Sequence, residues 1–391
     1  MIQPLWRGQS NMETDKENNR VVCLEFFSGI GGLHYGLQAS GVKGTVAMSF
    51  DMNENANCVY EHNFGMRPNN KAIDYLEPTD IDKYQATCWL LSPPCQPYTR
   101  GGKYLDDQDP RARGLIRLIK LLPELNHKPT HILLENVMNF ENSQSRSILV
   151  RTLGSMGFAI NEYLLSPLQF GIPNNRVRYY LVASMRHSTS NGPGASEYNS
   201  YVEDYLQSKR NVIHTEWPFG SAAISRSLST QTAPMQPQPL ERYIDRSLDS
   251  EPSLLVPASS IIKRKKLEFD IVQPASKQTS TFTKAYGSKH LIGSGSLLQT
   301  KNFDTRENGF GAPEKLLELG LRFFSPKEVA LLHHFPLVST EDDKPFVLAF
   351  PAEITQRQRL QLLGNSLNVH VVAKLIRNVL FAQQEPQGES Q

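Results

Sequence analysis

The chain has 391 residues, 39% hydrophobic and 20% charged, enough to bury a full core in one large domain with a smaller one beside it. A formal net charge of +2 excludes the strongly basic composition that announces a nucleic-acid binder, so any polyanionic partner has to be argued from local residues. Apolar runs such as 21–27 and 131–135 meet charged residues well short of the roughly 20 a membrane helix needs, which excludes a transmembrane span.

Residues 1–19 mix Asp, Glu, Lys and Asn without the apolar run of a secretory signal; they read as a polar tail, and the protein is expected inside the cell, in cytoplasm or nucleus. From 20 to 186 short apolar runs alternate with helix-like segments. Strands are expected at 21–26, 44–50, 88–91, 131–135, 159–165 and 178–183, and helices at 33–39, 55–62, 115–122 and 145–156. This is the pattern of a doubly wound, largely parallel α/β domain, whose ligands sit at the carboxyl ends of the strands. The four cysteines, Cys23, Cys58, Cys88 and Cys95, lack paired metal-ligand spacing, which argues against a disulfide framework and against a zinc site.

Between 187 and 319 Ser, Gln, Pro, Asn and Gly become frequent and periodicity weakens, as expected of a second, irregular domain with a mobile insert at 187–260. The basic run Lys263-Arg264-Lys265-Lys266 reads first as a solvated surface. Regular structure is expected to return from 320 to 382, opening at Ser325-Pro326-Lys327-Glu328, the signature of a capped helix start. A last amphipathic helix follows Asn365, and 383–391 forms a polar tail.

Four segments carry chemistry. Phe26-Phe27-Ser28-Gly29-Ile30-Gly31-Gly32 follows a strand and opens a helix, so its backbone can approach a ligand; a plain chain reversal is the blander alternative. Asp51, about 20 residues on at the end of the second strand, stands where an acid binds ribose hydroxyls in this architecture, which favours a nucleoside-bearing cofactor. In Ser92-Pro93-Pro94-Cys95-Gln96-Pro97 the prolines remove backbone donors and fix φ, so Cys95 is held in one direction at the sheet edge, unlike the other cysteines, which read as small buried hydrophobes. Glu135 ends an apolar strand, where a carboxylate either caps the next helix or moves protons. Arg176 and Arg178, two apart in an extended segment, point to one face and can converge on one group; a solvated strand end is the even alternative.

In this order, these segments resemble the cytosine-5 methyltransferase family over residues 21–380. Phe26 to Gly32 is similar to its cofactor loop, Pro94-Cys95-Gln96 to its nucleophile motif, Glu135-Asn136-Val137 to its acid motif, Arg176-Val177-Arg178 to its two-arginine motif, and Gly364-Asn365-Ser366-Leu367 to its C-terminal motif. The strings at 92–100, 164–174 and 362–375, together with the expectation that no regulatory domain precedes the catalytic region, resemble the tRNA-acting branch. The resemblance implies a Rossmann-like fold binding S-adenosyl-L-methionine. Its contacts would fall on Phe26, Ser28, Gly29, Ile30, Gly31, Gly32, Asp51, Ile73, Asp74, Ser92, Asn365 and Ser366, with Ile73 against the adenine and Asp51 on the ribose. It implies Cys95, Glu135, Arg176 and Arg178 as the catalytic set, no metal, and a tRNA substrate, the anticodon-loop cytosine 38 of aspartate tRNA, with DNA as a weaker partner. Two departures from the pattern stand out: Asn174 where DNA-acting relatives carry Gln, as in the tRNA branch, and Thr281-Phe282-Thr283 where that branch carries Cys-Phe-Thr. The competing readings are a DNA cytosine-5 methyltransferase, a catalytically silent nucleic-acid-binding protein and, least favoured, a nicotinamide enzyme, for which the glycine loop lacks the full spacing.

Overall fold

The computed structural model describes residues 20–99, 105–185, 213–219, 235–262, 269–288, 291–304, 313–337 and 347–382. Both tails, the basic run, Arg100 and much of the expected insert lie outside the described residues.

A seven-stranded sheet forms the first lobe: β1 (Val21–Phe26), β2 (Gly44–Phe50), β3 (Cys88–Leu91), β4 (His131–Val137), β5 (Phe158–Leu165), β6 (Arg178–Met185) and β7 (Ile213–His214). The strand order is β2-β1-β3-β4-β6-β5-β7. The first four strands run parallel, β6 is antiparallel to both β4 and β5, and the two-residue β7 pairs parallel with β5 at the edge. Strands β1, β3 and β4 are buried on both faces, which is why they read as unbroken apolar runs.

β4 runs two residues beyond the expected end at Glu135 because β6 keeps pairing with it, Glu135 opposite Tyr180 and Val137 opposite Arg178. Glu135 and Arg178 thereby become diagonal neighbours on one face of the sheet.

The end of the chain returns to this lobe. Helix Val369–Leu375, capped by the Asn368 side chain, packs on helix Gly32–Ser40, with Val372 set against Gly36. Val371, Val372, Leu375 and Ile376 are buried there, and each such side chain contributes roughly 1.5–3 kcal/mol.

The second lobe has its own core of Leu240, Phe282, Tyr286, Leu298 and Phe324, continuous with Leu360 and Leu363 of helix Gln356–Gly364. Its regular structure is sparse: β8 (Ile271–Val272) pairs with β9 (Leu297–Leu298). Helix Pro326–Leu332 starts with the expected capping box between Ser325 and Glu328. Of the stretch expected to be an insert, 213–219 includes β7, and Met235 bridges to Phe170 beside the sheet.

Candidate active site

At the carboxyl ends of β1 to β4 lies a cavity of about 650 Å³. Ser28, Gly29, Ile30, Gly32, Asp51, Ile73, Asp74, Ser92, Cys95, Glu135, Arg176, Arg178, Asn365 and Ser366 all line it. Two expected residues do not. Phe26 is fully buried, its ring stacked on Phe50 and tilted against Trp89, so its side chain belongs to the core. Gly31 is absent from the wall; it turns the chain at φ 82, and a Cβ there would run into the Phe64 ring.

The glycine loop is held from two sides. Gly29 N donates to Asp51 Oδ2 (2.8 Å), while Asp51 Oδ1 accepts from Asn53 N (2.8 Å), so Asp51 organises the loop as well as facing the cavity. Burial pushes the Asp51 carboxyl up and these backbone donors pull it back down. Ser92 Oγ donates to Phe27 O (2.9 Å), tying the cysteine loop to the glycine loop. Phe27 itself sits at φ 58, a strained conformation for a bulky residue and one that clusters at functional sites.

Cys95 is half-buried at the start of the turn Gln96–Tyr98. Desolvation pushes its thiol up, Arg178 and Arg176 pull it down, and Glu135 adds to the rise. Glu135 is buried, which raises its carboxyl above the usual range against the pull of Arg178 and Arg176. Arg178 Nε lies 3.5 Å from Glu135 Oε1, and its Nη1 donates to Val177 O (2.7 Å). Asn136 Nδ2 donates to Pro93 O (3.1 Å), so the acid strand and the cysteine loop are fastened together.

Arg176 is used differently from Arg178. Its Nη1 donates to Phe282 O (2.8 Å) and its Nη2 to the carbonyls of Gly364 and Ser366, so it staples the second lobe and the C-terminal motif to the cavity wall. The same junction explains Gly364: a Cβ there would overlap the Thr283 backbone, which has no freedom to withdraw. These contacts give Arg176 a positioning role at the junction of the two lobes, beside its place in the cavity wall.

Sequence reasoning missed several lining residues, among them Met52, Asn53 and Arg111. Met52 directly follows Asp51, and its exposure is a signal that position could have given. Arg111 is clamped on Asp109, with Nε and Nη2 at 2.8 and 2.7 Å, in a segment without periodicity.

The cavity fits a nucleoside-bearing cofactor. Ser28 Oγ and Arg176 Nε are buried in its walls without a partner among the described residues, Asp51 offers acceptors to hydroxyls, and Ile73 offers an apolar surface to a flat ring. Among the described residues no group of three metal-ligating side chains occurs, and no helix is long and apolar enough to cross a membrane.

Comparison with known proteins agrees with this geometry. The family model of C-5 cytosine-specific DNA methylases matches residues 21–380. The chain is 36% identical to a human protein named tRNA (cytosine(38)-C(5))-methyltransferase, over 90% of this chain and 97% of that one. It is 35% identical to a Dictyostelium discoideum protein named DNA (cytosine-5)-methyltransferase, over 93% and 95%. Among solved structures, a crystal structure of S. pombe Dnmt2 methyltransferase superposes with a TM-score of 0.71 at 29% identity, covering 94% of this chain and all of that one.

Proposed function

The chain belongs to the C-5 cytosine-specific DNA methylase family, and from that premise we propose that it methylates carbon 5 of cytosine 38 in aspartate tRNA, in cytoplasm or nucleus, through a covalent bond from Cys95. The observation that carries the reading is the convergence of Cys95, Glu135 and Arg178 on the cavity walled by the glycine loop and Asp51.

S-adenosyl-L-methionine, held by the glycine loop, Asp51, Ile73, Asp74, Asn365 and Ser366, supplies an electrophilic methyl group when bound. Carbon 5 of cytosine is a poor nucleophile. The Cys95 thiolate attacks carbon 6, forming a C–S bond and pushing the ring electrons toward carbon 5. Glu135, whose carboxyl burial raises toward protonation against the pull of Arg178 and Arg176, donates to ring N3 where negative charge develops. Arg178, beside Glu135 and with a guanidinium nitrogen to spare, holds the base oxygen. Carbon 5 takes the methyl group with the ring electrons, leaving the spent donor a neutral thioether; the N3 proton returns to Glu135, the carbon 5 proton leaves to a base, and the C–S bond breaks, returning its electron pair to Cys95. Arg176 keeps the second lobe against the site throughout. A base stacked in a duplex has no route to Cys95, whereas an unpaired loop base is cheap to splay outward.

The Dictyostelium relative's name supports a second reading, methylation of DNA. Both are tested by incubating the protein with labelled methyl donor and either aspartate tRNA or duplex DNA, then mapping the product by bisulfite sequencing. The expected result is label at cytosine 38 of the tRNA, falling to background in Cys95→Ala. Turnover of DNA alone replaces the first reading with the second, and undiminished methylation by Cys95→Ala ends the covalent mechanism.

A further inference from the structure

A second cleft of about 710 Å³ adjoins the catalytic cavity and shares Val137 and Arg178 with it. It lies between the end of β4 and the second lobe. Its chemistry differs from that of a phosphate site. Of its lining among the described residues, Arg178 is the sole cation, and that side chain already faces Glu135. The rest of the wall mixes hydrogen-bonding groups of both senses with the apolar side chains of Val137, Met138 and Val177. Met138, directly after the acid motif, is 50% exposed and offers a polarizable thioether to a flat ring. Asn175 and Gln278 present side-chain amides that have no partner among the described residues. Thr281 Oγ1 donates to Asn175 O (2.8 Å), which leaves its oxygen as an acceptor toward the cleft. Asp270 accepts from Ser280 N and Ser296 Oγ on one oxygen only, Oδ2, so Oδ1 remains open.

Phosphate contacts position a nucleic acid and call for Lys and Arg; base edges are read by amides, hydroxyls and carboxylates. Resting on the proposed function, we infer that this cleft is the subsite for the nucleobase next to the target cytosine, and that Asp270 makes it prefer guanine. Guanine is the base that sets two kinds of N–H donor, N1 and N2, side by side on one edge, where a carboxylate oxygen accepts them. Its O6 then takes a donor from an amide of Asn175 or Gln278, and its face rests on Met138. The wall shared through Val137 and Arg178 fixes the spacing: an occupant here is an immediate neighbour of the base over Cys95.

The test uses the full chain and RNA hairpins that carry one cytosine in the loop, with each of the four bases placed on its 5′ or its 3′ side. Initial rates of methyl transfer give kcat/KM for each. The parent is expected to favour guanine on one of the two sides by about tenfold, the size of one good base-edge contact. Asp270→Asn is expected to flatten that preference through KM with kcat nearly unchanged. Gln278→Ala, at an exposed position where folding is not at stake, weakens the guanine-flanked hairpin selectively. A parent that methylates the hairpins but ignores the neighbouring base overturns the subsite and leaves the proposed function standing, as does a preference that survives both substitutions. A parent that methylates no RNA at all overturns the proposed function, and the subsite with it.

Discussion

Two arginine–carboxylate contacts in this molecule, one wholly buried and one at the cavity wall, are built from the same groups and finished differently. In the second lobe Arg322 meets Glu328 bidentately, with Nη1 and Nη2 at 2.9 and 2.8 Å, and its Nε reaches Asp249 at 3.2 Å. Its Nη1 and Nη2 also donate to the carbonyls of Phe323 and Asp245. Glu328 is occupied as well, closing the capping box and accepting from Asp245 N. At the sheet edge Arg178 approaches Glu135 with one nitrogen at 3.5 Å, and both face a cavity. A saturated pair has nothing left for a ligand and serves the fold. A loose pair keeps unspent donors and a carboxyl lifted by burial, which is what proton chemistry needs.

The comparison breaks most sharply on the two glutamates. Glu135→Gln keeps size and shape but removes the transferable proton, so methyl transfer is expected to fall about 10²–10⁴-fold while thermal unfolding shifts little. Glu328→Gln is expected to do the reverse. It leaves a buried guanidinium short of one charge, costing about 3 kcal/mol in denaturant unfolding, with the rate per folded molecule preserved. If the two variants lose stability equally, the division between a structural and a chemical pair is wrong.

Arg178 sharpens it further through Cys95. The guanidinium holds the thiol below the value burial alone would impose, so in Arg178→Gln the thiol titrates at higher pH. Alkylation by iodoacetamide, followed against pH, is expected to show the midpoint moving up in the variant. At neutral pH the variant reacts more slowly, because less thiolate is present. An unmoved midpoint removes Arg178 from the thiol's surroundings.

What the sequence made legible follows from locality. Cys95 stood out because its flanking prolines are adjacent to it, and Glu135 because a charge interrupts Ile132-Leu133-Leu134. The strands and helices of the first lobe follow periodicities that survive in a single chain. The partners of Arg176 escaped because they lie 106, 188 and 190 residues away, and no spacing within its own motif points to them. The strand β7 has two residues, too few to show alternation, and its pairing with β5 is made by the tertiary fold. Glu25 interrupts an apolar strand as Glu135 does, but nothing next to it in the sequence separates a buried capping carboxyl from a charge that ends an apolar run.

Glu25 extends the comparison to a third case, a fully buried carboxyl without a cation. Its Oε2 accepts from Tyr60 OH (2.8 Å) and its Oε1 from His34 N (3.2 Å), so it caps from outside the helix Gly32–Ser40, whose own N-cap, Gly31, has no side chain to do so. Burial, with Asp51 nearby, raises its pKa from 4.5 to about 8 against the pull of those hydrogen bonds. The sign follows from linkage. The folded state holds this proton more tightly than the unfolded chain does, so Glu25's contribution is fully present below pH 4.5 and is lost as pH rises toward about 8. In Glu25→Gln the amide oxygen accepts from His34 N, the amide nitrogen donates to Tyr60 OH, and the side chain does not titrate. The unfolding temperature of the parent is therefore expected to decline relative to this variant across that window and to run parallel to it above. A difference between the two that stays constant with pH would mean that Glu25 is ionised in the folded protein, and that a buried carboxyl here needs no cation to keep its charge.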